Sequence, residues 1–100
     1  GILSSIYLKK KKNFSVNQIV KILKNYYKNE PFIKVNKSNS EMGSGNVLNT
    51  NNCELSICES KYKNRIVIFS AIDNLIKGAA GQAIQNMNAM FSFKISNGLK

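Results

Sequence analysis

Cys53-Glu54-Leu55-Ser56-Ile57, then Lys61-Tyr62-Lys63-Asn64, then Arg65-Ile66-Val67-Ile68-Phe69: this stretch decides the class of fold. The first five residues alternate apolar and polar side chains, the pattern of a half-buried strand. Lys61 to Asn64 supply a polar turn, and Arg65 to Phe69 form a short β-branched run that reads as a strand buried on both faces. Two strands joined by such a turn predict an antiparallel hairpin.

Toward the N-terminus, Ile2-Leu3-Ser4-Ser5-Ile6-Tyr7-Leu8 is short and β-branched, with Ile2, Ile6 and Leu8 on one face, and predicts another strand. From Ser15 the period becomes helical, with Val16, Ile19, Val20, Leu23 and Tyr27 at spacings of three and four. Ser15 and Gln18 stand at the positions of a capping box, and Phe14 and Ile19 at those of a hydrophobic staple. Pro31 cannot continue a helix, which predicts an end near Lys28. Phe32 to Val35 reads as a short extended piece, and Asn36 to Asn52 as a long polar loop.

Toward the C-terminus, Asp73 or Asn74 can cap a helix running from Leu75 to Phe91, whose stripe is Ile76, Ala80, Ala83, Ile84, Met87, Met90 and Phe91. Gly78 and Gly81 lie in its first turns. Each costs a helix about 1 kcal/mol relative to Ala, so something must approach this backbone closely: a packed element or a ligand. The predicted fold is α+β: a mixed or antiparallel sheet with one amphipathic helix packed on it and a long C-terminal helix.

Composition sets further bounds. Apolar residues are 43% of 100, too many for a disordered chain, and no apolar run approaches the roughly 20 residues that span a bilayer. The formal charge is +10. Fourteen of the 15 basic residues are Lys, however, and Lys, Asn and Ile fill 41 of the 100 positions. Those residues share AT-rich codons, so nucleotide bias accounts for the charge better than a nucleic-acid site does. The run Lys9 to Lys12 reads as a solvated strand end.

Candidate chemistry is sparse. There is no His to act as general base, and Cys53 and Cys58 cannot by themselves close a zinc site. On one strand, five residues apart, the two thiols point to opposite faces and cannot pair with each other. Reduced thiols fit a cytoplasmic protein. Lys77-Gly78-Ala79-Ala80-Gly81 at a helix start matches neither the dinucleotide fingerprint nor the Walker pattern. The residues predict neither a catalytic set nor a metal site.

Ser70-Ala71-Ile72-Asp73-Asn74-Leu75-Ile76-Lys77-Gly78-Ala79-Ala80-Gly81-Gln82-Ala83-Ile84-Gln85-Asn86-Met87-Asn88 resembles the closing motif of the N-acetyl-gamma-glutamyl-phosphate reductases. Gly1-Ile2-Leu3, Tyr26 to Val35, Asn51-Asn52-Cys53 and Asn97-Gly98-Leu99 resemble other parts of that family in the same order. The chain also opens without Met, as though inside a structural element. The resemblance implies the C-terminal part of a two-domain dehydrogenase of arginine biosynthesis, which reduces N-acetylglutamyl phosphate to its semialdehyde with NADPH. It further implies a Rossmann half, in the same or a separate chain, and a homo-oligomer. Residues 1–72 would belong to a substrate and dimerisation domain, and residues 73–100 would pack on the Rossmann domain. Asn74, Lys77, Gly78 and Ala79 would lie near the nicotinamide end of NADP, while the catalytic Cys and His would lie upstream, leaving the isolated chain inactive. Cys53 matches a non-catalytic position. Leu48-Asn49 stands where many relatives carry Arg or another polar residue and Gly, and Ser92 where Gly is usual. The alternatives are a small Lys-rich nucleic-acid-binding domain and a non-catalytic dimerisation remnant.

Overall fold

Alternating and β-branched segments with polar turns between them do form a sheet. The computed structural model describes all 100 residues. The four strands are β1 (Ile2–Lys9), β2 (Ile33–Val35), β3 (Cys53–Glu59) and β4 (Arg65–Ile72), in the spatial order β1-β4-β3-β2. The predicted hairpin is β3–β4, antiparallel with Ile57 opposite Ile68. β1 lies antiparallel on the other side of β4, Ile6 opposite Ile68, and β2 joins β3 in parallel, making the sheet mixed.

Helix α1 (Val16–Tyr26) starts as its sequence requires. The Ser15 hydroxyl accepts the Gln18 N–H at 3.1 Å, and the Gln18 side chain accepts the Ser15 N–H at 2.7 Å. This reciprocal pair satisfies two orphan donors of the first turn. The helix ends at Tyr26, slightly before the expected Lys28. Val16 and Val20 are buried against Ile57 and Ile66, with Ile19, Leu23, Val35 and Ile68 packed around them. These side chains are the apolar core.

Only 13 of 100 residues are buried, so much of the apolar surface has no cover within the chain. The radius of gyration, 14.8 Å, exceeds the roughly 13 Å of a compact 100-residue domain. Two expectations are corrected here. β4 is not buried on both faces: Ile66 and Ala71 are buried, but Val67, Ile68 and Phe69 are half-buried, because α1 covers part of one face. The Asn36–Asn52 segment is not simply a surface loop, since Val47, in a 3-10 turn over Ser44–Val47, and Asn51 are fully buried.

The expected C-terminal helix is present in two pieces. Ile76–Ala80 forms a wide π-type turn, and α2 runs over Gly81–Met90. The widening shows in the bonds Gly78 N–H to Asp73 O at 3.0 Å and Ala80 N–H to Leu75 O at 3.3 Å, each spanning five residues. No helix is long and apolar enough to cross a membrane.

Candidate functional site

The site forms where β4 ends and the chain turns into α2. Of the two candidate caps, Asp73 does the work. Its Oδ1 accepts the Leu75 N–H at 2.8 Å and the Ile76 N–H at 3.2 Å, while Oδ2 accepts the Asn49 N–H at 2.8 Å. One carboxylate thus joins the helix entry to the central loop. The Asn49 donor, then that of Leu75, hold the carboxyl below its ordinary 3.8; burial opposes them, and the Ile76 donor adds to them. Asn49 has φ 61, the left-handed region in which Asn is tolerated and Gly is easiest.

Asn74, Gly78 and Ala79 form an exposed rim on the π-type turn. A Cβ added to Gly78 would sit 3.4 Å from Asn74 Oδ1 and from Ile72 Cδ1, close to ordinary contact. Internal packing therefore does not require glycine at this position. Gly81 differs: an added Cβ would lie 2.7 Å from both the Ile76 carbonyl oxygen and Ile76 Cγ2, and closer still to Asn51 Oδ1. At Gly81 the close approach is internal.

Lys77 leaves the rim and turns into a cleft of about 480 Å³ between the end of α1 and α2. Its Nζ donates to Gln85 Oε1 at 2.9 Å and lies 5.7 Å from the Phe32 ring centroid, with Tyr27 and Glu30 on the same cleft. Burial pushes its pKa below the ordinary 10.5, offset in part by nearby Cys53 and Glu30. The ammonium only donates, so Gln85 must present its oxygen. The same oxygen accepts Asn51 Nδ2 at 3.0 Å, which leaves Asn51 Oδ1 buried beside Gly81 without a partner.

Of the four residues singled out from the sequence, the structure groups Asn74, Gly78 and Ala79 and turns Lys77 inward. Gln85, which accepts from the Lys77 ammonium, and Asn51, which donates to the same Gln85 oxygen, were not singled out. Asn51 sits in an Asn-rich segment and Gln85 on the polar side of a helix, so neither carried a spacing signal. Cys53 and Cys58 are free and half-buried, Cys53 Sγ being 3.5 Å from Ser70 Oγ. No group of three or more His, Cys, Asp or Glu side chains gathers as a metal site would require.

Residues 1–74 match the family model described as semialdehyde dehydrogenase, dimerisation domain. The chain belongs to this family. It is also similar to proteins named N-acetyl-gamma-glutamyl-phosphate reductase: 44% identical over 99 residues to that of Thermoanaerobacter pseudethanolicus and 48% over 99 to one from Clostridium botulinum. The Staphylococcus aureus protein is 37% identical over 100 residues. The matches cover 99% of this chain in the first two cases and 100% in the third, but the chain spans only about 29% of the length of these relatives. The sheet, α1 and the Asp73 cap fall within the family match; the π-type turn and α2 are covered by the individual relatives.

Proposed function

We propose that this chain is the C-terminal, dimerisation portion of an NADP-dependent reductase that converts N-acetylglutamyl phosphate to its semialdehyde in arginine biosynthesis. The observation that carries the reading is continuous similarity to reductases of that name across essentially the whole chain, turn and α2 included. The catalytic Cys and His belong to the part of the reductase outside these 100 residues, together with the Rossmann domain that holds most of the cofactor.

The rim fits one end of a nicotinamide cofactor. The side-chain bonds that order the turn run to Asp73, which leaves the exposed Asn74 amide free to pair with a carboxamide, itself both donor and acceptor. Gly78, with no internal reason to be glycine, leaves room for a planar ring to approach the backbone. When bound, NADPH supplies a hydride to the acyl carbon. Asn74 orients the carboxamide, the Asp73 carboxylate fixes the turn that presents Asn74, and Lys77 adds positive charge beneath it. The exposed α2 side chains Ile84, Met87, Met90 and Phe91 pack on the Rossmann domain, and the homo-oligomer contacts come from residues 1–72.

The test uses the full-length protein. Asn74→Ala and Gly78→Val raise the KM for NADPH about tenfold or more, with a smaller change in the KM for the acyl phosphate. Unchanged NADPH kinetics in both variants would remove the rim from the cofactor site.

A further inference from the structure

Seven cations converge at the end of the sheet opposite Asp73. The pairing of Lys9 with Arg65, and the Lys10 N–H bond to Asn64 O at 2.8 Å, bring the run Lys9 to Lys12 beside the turn that carries Lys61, Lys63 and Arg65. The four lysines of the run, with Lys63, Asn64 and Arg65, line a cleft of about 360 Å³. Arg65 also borders a second cleft of about 430 Å³ that holds Tyr7 and Tyr62, so the two clefts share this one residue. Tyr7 is 76% exposed and Tyr62 61%, and Lys61 Nζ lies 5.1 Å from the Tyr62 ring centroid.

None of these charges is neutralised within the chain. The single ion pair is Lys34–Glu54, at 3.4 Å, and Glu59 is the only carboxylate in the segments that meet at this end. Codon bias raises the number of lysines but does not place them. Seven of the 15 basic residues, the one Arg included, stand in two short segments that strand pairing unites.

We propose that this end of the sheet is a binding surface for single-stranded nucleic acid: the Lys9–Lys12 run with Lys63 and Arg65 tracks the phosphates, and Tyr7 and Tyr62 stack on unpaired bases. Exposed rings beside cations select a strand whose bases are free, since duplex bases offer no open face. Eight-residue strands at about 3.3 Å per residue put this surface roughly 25 Å from Asp73, so it can stand or fall independently of the reductase reading.

The experiment is fluorescence anisotropy of a labelled oligothymidylate of about 20 nucleotides with the full-length protein carrying this chain. Four to seven phosphate contacts predict saturable binding whose log K falls with log salt at a slope of roughly −3 to −5. Replacing Lys10, Lys11, Lys12 and Lys63 by Gln weakens it about tenfold or more. The same charge removed at exposed Lys21, Lys24, Lys28 and Lys37 changes it by less than about twofold. Tyr7→Ala and Tyr62→Ala each weaken it about fivefold, and leave binding of inorganic polyphosphate unchanged. Four results would each overturn the proposal: no saturable binding at low salt, equal loss in the two lysine variants, tyrosine variants without effect, or preference for a duplex of the same length.

Discussion

The two helices are nearly equal in length and both carry an apolar stripe, yet the fold uses them differently. α1, with 11 residues, buries Val16 and Val20 in the core, and its N-terminus is closed by its own side chains. α2, with 10 residues, buries Gly81 and Asn88, while Met90 is 80% exposed and Phe91 63%. α1 is held by burial of apolar surface. α2 is held by polar pins: the Asp73 carboxylate at its entry, Asn51 to Gln85 along its side, and Asn88 Nδ2, which donates to the Ile95 and Asn97 carbonyls at 3.0 Å each. Periodicity shows which face of a helix is apolar, but not whether the same chain covers it.

Removing the apolar anchor should have the largest effect. Ile57 is fully buried under α1, and Ile57→Ala should cost about 2–5 kcal/mol, measured by denaturant unfolding. Gly81→Ala tests the polar side. Alanine gains about 1 kcal/mol of helix propensity, but its Cβ meets the Ile76 backbone oxygen, which can yield only by moving the π-type turn. A net loss of about 1–3 kcal/mol is expected, with faster amide exchange confined to the turn and α2.

The Asp73 junction should respond to pH. A carboxyl whose pKa is depressed in the folded state contributes stability above its unfolded value near 3.8, and that contribution disappears as pH falls through the lower folded value. Amide exchange at Asn49, Leu75 and Ile76 should therefore lose protection in acid before the amides of α1 do. Asp73→Asn should abolish the difference. The smallest effect has the opposite sign: Ser92 holds φ 56 just after α2, so Ser92→Gly should stabilise α2 by about 1 kcal/mol, seen as a higher Tm.

Much of this fold was legible because local chemistry agreed with the final packing. The alternation in β3, the β-branched β1 and β4, and the Ser15–Gln18 box each named its element before any contact was known. Asn49 and Ser92 both take left-handed backbone, the conformation that Gly adopts most readily. Other features depended on distant partners. The parallel pairing of three-residue β2 with β3 has no local signal, and the π-type break arises because the Asp73 and Leu75 carbonyls accept bonds five residues on. The site divides in the same way: Asn74, Gly78 and Ala79 lie together in one sequence motif, whereas the contacts of Asn51 with Gln85 and Gly81 depend on docking of a distant loop.

The most direct test of the central claim is NADPH oxidation with N-acetylglutamyl phosphate, measured for this 100-residue chain alone and then joined to or mixed with the Rossmann half of the reductase. The account predicts no turnover from the chain alone and turnover once the Rossmann half is supplied. Turnover by the chain alone, or none from a folded assembly of both parts, would contradict it.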